Sequence, residues 1–571
     1  MCRMPPCVLH EDEHLLVVHK PAGWNTHAPA PHAGEGIYDW LKHREPRWAN
    51  LAIIHRLDKE TSGVLVFGKT PLANKSLTEQ FTTRAVRKKY LLLTDRPPKR
   101  TEFTAKSKIA RIGERYASRA DGELAETRFQ IRNPKSEIRN QNQPPHVGCY
   151  EVTAEPLTGR THQIRVHAAE NGFPILGDTL YGGSPFPRVC LHAAEISFQH
   201  PATGEAVSFT APMDWSADAS SARSTETATR GRGVRAPVEP LTPAALRDAC
   251  VEPEQTNAFR LIHGASDGWP GWYVEQLGPC LLSQSEAELT AAQKAFLANL
   301  LSLESTRHAP HITAAYHKIL SRQVRRASTA ETSPHLVVGD AAPERFEIRE
   351  NDVKFELSFN EGYSVGLFLD QRDNRRRLLT GHVAADFSLS QSAIGNRQSA
   401  ILNCFAYTCG FSVCAALAGA RATSLDLSKK YLDWGKRNFA LNGLDPAAHD
   451  FIYGDTFDWL KRLAKKQRGF DAVLLDPPTF SQSKESGVFR AEKDYGRLVT
   501  ATLPVLKPGG VLFASTNAAD WPPEEFLAQV SAAIRKSGRK VTQQHYVPQP
   551  PDFPISRAEP AYLKTVWLRV A

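Results

Sequence analysis

The sequence predicts a chain of several domains, strand-rich at its start and closing in an α/β unit built on a parallel sheet. Three observations carry this. At 571 residues the chain exceeds what one hydrophobic core holds, and 41% hydrophobic with 23% charged residues is the balance of a globular protein. Near the start, two apolar, β-branched runs, 51–54 and 64–67, bracket a polar turn. Near the end, an apolar strand at 400–405, a small-residue turn at 407–412 and an alanine-rich helix start at 413–420 follow one another.

The polar turn reads His55-Arg56-Leu57-Asp58-Lys59-Glu60-Thr61-Ser62-Gly63. An aspartate on such a loop is either a cap that hydrogen-bonds its own turn or a reagent. Upstream lies His19-Lys20-Pro21-Ala22-Gly23; downstream come Arg87-Lys88-Lys89-Tyr90, the run Leu157-Thr158-Gly159-Arg160-Thr161-His162-Gln163-Ile164-Arg165-Val166-His167, Gly177–Gly182 and Leu191-His192-Ala193. With these blocks in this order, residues from about 8 to 214 resemble the RluA family of RNA pseudouridine synthases.

The resemblance implies an α+β domain with a mixed antiparallel sheet that turns uridine into pseudouridine without a cofactor. That reaction breaks a glycosidic bond, rotates the uracil and re-forms the link through carbon 5, so it requires a carboxylate beside the sugar. Asp58 is implied as that group, attacking covalently or taking a sugar proton. Tyr90 is implied to help remove the carbon 5 proton as base or relay, and Arg160 to pair with Asp58 and keep it ionised. Arg56 matches the residue that fills the stack when the base is extruded, and Arg165 is expected to support RNA phosphate or the loop. His55, His162 and His167 are expected to serve structure, and no metal-ligand spacing is visible among them.

Residues 216–237 lack large apolar side chains and predict a flexible linker over 216–240. The repeats of Ile-Arg-Asn within 131–140 and of Gln-Ser-Ala-Ile within 391–401 read as polar surface insertions. The expected domains are 1–215, a small α/β RNA-docking domain at 241–345, and a final domain at 346–571.

In the final domain Thr423-Ser424-Leu425-Asp426 ends a second strand in an acid about twenty residues beyond the tight loop, the spacing at which a nucleotide-binding α/β unit places a carboxylate on ribose hydroxyls. The loop lacks a GxGxxG pattern, and Cys409 stands where glycine is expected; a positive φ there would cost stability. Phe470–Leu475 reads as a buried parallel strand delivering Asp476-Pro477-Pro478-Thr479-Phe480 to the carboxyl edge. With Gly366–Arg375 these features resemble class I S-adenosylmethionine-dependent methyltransferases with a Rossmann-like α/β fold, in the RlmK/RlmI-like group acting on large-subunit rRNA. The resemblance implies a pocket for S-adenosylmethionine lined by Gln371, Arg372, Asn403, Tyr407, Gly410 and Pro477, with Asp426 on the ribose, Asp455 facing the adenine and Asp476 bordering methyl transfer.

Methylating carbon 5 of cytosine needs a thiolate, yet Thr479 follows the Asp-Pro-Pro turn and the next strand, Val511–Asn517, contains no cysteine. A guanine nitrogen is the favoured acceptor, since positioning its lone pair supplies most of what transfer needs. Residues 257–262 and 265–274 resemble the small domain preceding catalysis in the same group, with Trp269, Trp272 and Tyr273 read as core aromatics.

Net charge +9 and clusters at 84–89, 96–100, 322–326 and 375–377 suit an RNA partner. Nine cysteines without a CxxC pair are expected as free thiols in a reducing compartment. No apolar signal core opens the chain and no run reaches a membrane span, so a cytoplasmic protein without membrane or metal partners is expected. The favoured reading is a bifunctional enzyme of large-subunit rRNA; the alternative is a tRNA-directed synthase carrying an inactive or RNA-binding-only second half.

Overall fold

The computed structural model describes residues 4–133, 149–213, 242–302, 312–320, 332–362, 364–389, 399–483, 485 and 487–571. The linker at 216–240, most of both insertions and the basic cluster at 322–326 lie outside the described residues. The chain divides into two compact units, one of Met1–Ala28, Gly36–Asp39 and Asn50–Val251, the other of Pro29–Glu35, Trp40–Ala49 and Glu252–Ala571. The helix Thr242–Cys250, placed by the sequence at the head of the docking domain, groups with the first unit.

The first unit is organised around an 11-stranded mixed sheet. Its strand Ser62–Gly68 is buried along its whole length, as its unbroken apolar run requires. It pairs antiparallel with Leu15–Lys20 and parallel with Leu191–Gln199. The expected loop between two strands is present: Ala52–Ile53 and Ser62–Gly68 pair with each other, and the polar motif spans the gap. Gly63 has φ +122°, and a Cβ there would meet the Ala193 carbonyl oxygen at 2.3 Å, so only glycine lets the strands approach. The helix Gln163–Glu170 is buried over its first six residues.

In the second unit a five-stranded sheet runs from Ala258–His263 to His335–Gly339. Its inner face shares one apolar core with the following hairpin and the final sheet: Leu282, Ile348, Phe355 and Trp567 belong to the same cluster. Trp272 is fully buried against Trp269 and Phe296, as the core reading expects. The last sheet has seven strands in the order 3-2-1-4-5-7-6, counted along the chain from Ala400–Cys404. Strands one to five are parallel and Lys564–Val570 inserts antiparallel, a Rossmann-like sheet as expected. The order reverses at Ala400–Cys404, which opens a crevice at the carboxyl edge between Asp426 and Asp476.

Candidate active sites

In the first unit the polar motif floors a cavity of about 1300 Å³. The upstream block holds it there. Lys20, fully buried, donates from Nζ to the carbonyls of Pro21 at 2.9 Å, Trp24 at 2.7 Å and Lys59 at 3.2 Å. The Gly23 amide donates to the Lys59 carbonyl at 2.7 Å, and Thr26 Oγ1 brackets Leu57 through its amide and carbonyl. Asp58 is thus fixed by backbone contacts on either side.

The Asp58 side chain is 22% exposed. Burial raises its pKa, Glu60 adds to that, and the charges of His162, Arg165 and Arg56 oppose it. Tyr90 lies in the strand Arg87–Thr94, and burial together with Asp58 raises its phenol. A phenol so held stays protonated at neutral pH, which suits a hydroxyl relay better than a phenolate base. Arg56 is exposed at the cavity, donating to Thr161 Oγ1 at 3.0 Å. Arg84, Arg87, Lys88 and Lys89, from the basic cluster at 84–89, line the same cavity.

Arg160 does not pair with Asp58. Its guanidinium meets Glu123 and the Leu124 carbonyl, and its side chain is 40% exposed. The chain turns through a left-handed conformation at His162 (φ 54°) before entering the helix, which leaves Arg160 outside the turn and directs Arg165 inward. Arg165, 3% exposed, chelates Asp178 through Nε and Nη2 at 2.7 and 2.8 Å, and its Nη1 meets Glu60 at 3.2 Å. Its charge acts on Asp58.

Two histidines serve structure as expected: His55 Nε2 accepts the Val66 amide at 3.1 Å, and His167 bridges Thr127 and Ser107. His162 makes a structural hydrogen bond too, and in addition faces Asp58. Its Nε2 lies 4.0 Å from Asp58 Oδ2 and its Nδ1 2.8 Å from Tyr181 Oη. Nothing in the spacing of the motif distinguished it from His167.

In the second unit the loop after Ala400–Cys404 carries three left-handed residues that are not glycine, Phe405 (φ 60°), Tyr407 (φ 49°) and Cys409 (φ 64°). Alternation of such residues turns successive amides toward one side. External contacts hold the strain: Asp426 Oδ2 accepts the Tyr407 amide at 2.8 Å, Asn438 Nδ2 donates to the Thr408 carbonyl at 2.9 Å, and Thr408 Oγ1 donates to the Gly366 carbonyl at 2.5 Å. Cys409 is fully buried, and its side chain occupies the space a Cβ on Gly435 would take.

Asp426 also accepts the Ser428 amide at 2.8 Å, yet each oxygen keeps a lone pair for a ribose hydroxyl. Asn403 donates to Ser412 at 3.0 Å while its Oδ1 is buried without a partner at the same edge. Gln371 Nε2 donates to Asp476 Oδ1 at 3.2 Å and to Ser515 Oγ at 2.8 Å. Burial raises the pKa of Asp476 while Ser515, Arg375 and Gln371 oppose the rise. Pro477, buried, fixes the turn that follows. An orphaned acceptor, a strained amide-bearing loop and carboxylates on the flanking strands fit a nucleoside with a charged aminoacyl tail.

Other expectations are corrected. Arg372 does not line a pocket: 4% exposed, it chelates Asp552 at 2.9 and 2.6 Å. Asp455, just beyond the strand Asp450–Tyr453, caps the helix Thr456–Lys465 through the Asp458 amide and accepts from Ser483 Oγ at 2.7 Å, contacts that neither place nor exclude an adenine there. Gly410 serves packing, since a Cβ there would sit 3.0 Å from Leu367 Cδ1. The run Arg375–Arg377 is buried, with Arg375 bound to Glu350, so it offers phosphates no surface. Its helix faces inward, which charge counting could not reveal. Asp370, unassigned by sequence, accepts from Tyr562 Oη at 3.1 Å and is pushed up to about 6 by burial and by Asp476.

Among the described residues no helix is long and apolar enough to cross a membrane. The family model for RNA pseudouridylate synthase matches residues 14–170, and the model for S-adenosylmethionine-dependent methyltransferase matches residues 259–569. A protein of Deinococcus radiodurans named "Ribosomal RNA large subunit methyltransferase" is 35% identical over 320 residues, 55% of this chain and 73% of the relative. "Ribosomal RNA large subunit methyltransferase I" of Pseudoalteromonas atlantica is 31% identical over 336 residues, 57% of this chain and 77% of the relative. "Ribosomal RNA large subunit methyltransferase K/L" of a Psychrobacter species is 40% identical over 184 residues, 32% of this chain and 21% of the relative. The chain therefore belongs to the S-adenosylmethionine-dependent methyltransferases and carries, ahead of that region, an RNA pseudouridylate synthase domain.

Proposed function

We propose that the chain is a bifunctional enzyme of large-subunit rRNA, converting uridine to pseudouridine in its first unit and methylating a guanine nitrogen in its second. The observation that carries the first activity is Asp58, a partly buried carboxylate fixed on both sides at the floor of a cavity lined by basic side chains. Arg56, Arg84, Arg87 and Lys89 hold the RNA backbone at the mouth, with Arg56 replacing the extruded base. Asp58 then acts on the sugar, Arg165 supports its ionised form, and the Tyr90 hydroxyl relays the carbon 5 proton. No cofactor enters this half.

In the second unit Asp426, Asn403 and the amides of 405–410 hold S-adenosylmethionine, which when bound supplies an electrophilic methyl group. Gln371 and Asp476 border the acceptor base. A nitrogen acceptor is favoured because Cys404, Cys409 and Cys414 are all buried, with thiols pushed upward by burial and therefore unsuited to attack carbon 6 of cytosine. The names of the relatives support large-subunit rRNA, and free thiols with an RNA substrate support a cytoplasmic site of action. The test is incubation of the full chain with unmodified large-subunit rRNA and labelled S-adenosylmethionine. Pseudouridine and 7-methylguanosine are expected; 5-methylcytosine would overturn the acceptor assignment.

A further inference from the structure

We propose that His162 shares one proton with Asp58 and is the positioning residue that sets the charge state of that carboxylate. The inference rests on reading Asp58 as the reagent carboxylate of pseudouridine formation. His162 takes a left-handed backbone (φ 54°), a region in which asparagine, aspartate and histidine are the non-glycine residues most often found, and its ring is held in place there. Nδ1 lies 2.8 Å from Tyr181 Oη, which also accepts the Tyr116 amide at 2.9 Å. The rings of Tyr116 and Tyr181 meet the imidazole edge-on at 5.2 and 5.7 Å. Such a clamp fixes the direction in which Nε2 points.

Nε2 faces two groups with opposite demands: Arg165 Nη1 at 3.2 Å and Asp58 Oδ2 at 4.0 Å. A guanidinium only donates, so the Arg165 contact requires a lone pair on Nε2 and a hydrogen on Nδ1, directed at a lone pair of Tyr181 Oη. A carboxylate only accepts, so an ionised Asp58 favours a hydrogen on Nε2. The two arrangements differ by one proton transfer. At 4.0 Å the two groups are an ion pair and not a hydrogen bond, so the proton passes through solvent: the O–H bond of the Asp58 carboxyl breaks, an N–H bond forms at Nε2, and the charge of the pair does not change. Arg165 tolerates both, because it retains Asp178 and Glu60 when Nε2 carries the proton.

The titratable groups bearing on the pair come from six elements: Lys20 from the strand Leu15–Lys20, Arg56 and Glu60 from the motif loop, Tyr90 from the strand Arg87–Thr94, Arg165 from the helix, Asp178 and Tyr181 from the segment after it, and Tyr116 from the strand Arg115–Ser118. Burial raises the Asp58 carboxyl and lowers the His162 imidazole, which brings the two toward a common range. A substrate that seals the cavity would otherwise favour a neutral carboxyl. His162 holds the proton nearby and leaves Asp58 ionised for reaction.

The test compares pseudouridine formation by the full chain from pH 5 to 9 for the wild type and His162→Asn, a residue that accepts the left-handed backbone but does not titrate. The acid limb of kcat is expected to move up by about one unit, giving roughly tenfold loss at pH 6 that is recovered by pH 8. Equal loss at every pH, or superimposable profiles, would overturn the proposal. A second readout needs no activity: NMR titration of histidines labelled with carbon-13 at Cε1, in wild type and Asp58→Asn. The His162 midpoint is expected to fall in Asp58→Asn, and an unchanged midpoint would overturn the pairing. Absence of pseudouridine from the wild type, with the midpoint still responsive, would instead overturn the reading of Asp58 as reagent.

Discussion

Replacing Gly435 by alanine should destabilise the methyltransferase region although alanine is the better helix former. Gly435 lies inside the helix Lys429–Leu441, where the exchange alone would contribute about 1 kcal/mol of stability. A Cβ at that position would stand 2.3 Å from Cys409 Sγ and 2.8 Å from Cys409 Cβ. Rotation of the thiol relieves the first overlap and leaves the second, because Cβ moves only with the backbone of the strained loop. Overpacking of this kind costs roughly 1–3 kcal/mol, and a backbone-tied clash belongs near the top of that range. The expected net loss is about 2 kcal/mol. Displacement of the loop should also weaken S-adenosylmethionine binding, by roughly tenfold for each 1.4 kcal/mol transmitted. Cys409→Gly alone should be close to neutral, since relief of about 1 kcal/mol at φ 64° offsets the lost thiol packing. The double variant should recover wild-type behaviour, the alanine methyl taking the vacated space. The assay is the thermal transition of the full chain that S-adenosylmethionine shifts, with calorimetric binding in parallel. A Gly435→Ala protein as stable as the wild type, or no rescue by Cys409→Gly, would refute the reasoning.

The remaining predictions concern both units. Arg165→Lys, which loses the chelate with Asp178 and the contact to Glu60, should lower pseudouridine kcat by at least a hundredfold, whereas Arg160→Ala should cost less than tenfold and mainly at low salt, where its exposed charge is unscreened. Steady-state rates on one RNA at two salt concentrations check this. Lys20→Met leaves three carbonyls without their donor, at about 1–3 kcal/mol each where no water replaces it, and should abolish pseudouridine formation while methyl transfer continues. For Asp370, raised from 3.8 to about 6, the folded form binds the proton more tightly than the unfolded chain. Its burial penalty is absent below pH 3.8, grows up to pH 6 and is full above it. Asp370→Asn should therefore raise the melting temperature at pH 7.5 and leave it unchanged at pH 4.

Much of this was legible in the sequence because the chemistry sits at chain turns that announce themselves. Two apolar runs around a charged turn located Asp58, and an apolar run ending in Asp476-Pro477-Pro478 located the carboxyl edge of a parallel sheet. What failed were assignments that depend on side-chain direction. Arg160 and Arg165 lie five residues apart in one motif, and only the left-handed turn at His162 decides which of them points inward. Arg372 is implied as a cofactor ligand by the resemblance and Arg375–Arg377 read as phosphate ligands by their charge, but the partners of Arg372 and Arg375, Asp552 and Glu350, lie on other elements of the chain. Cys409 looked like a defect because its compensation, Gly435, is 26 positions away on another element.

The central claim is that one chain holds two independent active sites. Unmodified large-subunit rRNA should be incubated with labelled S-adenosylmethionine and wild type, Asp58→Ala or Asp426→Ala, and every modified nucleotide mapped by mass spectrometry. The account predicts that Asp58→Ala loses pseudouridine and retains 7-methylguanosine, and that Asp426→Ala does the reverse. Loss of both modifications in either variant, or pseudouridine without any methyl group from the wild type, would contradict it.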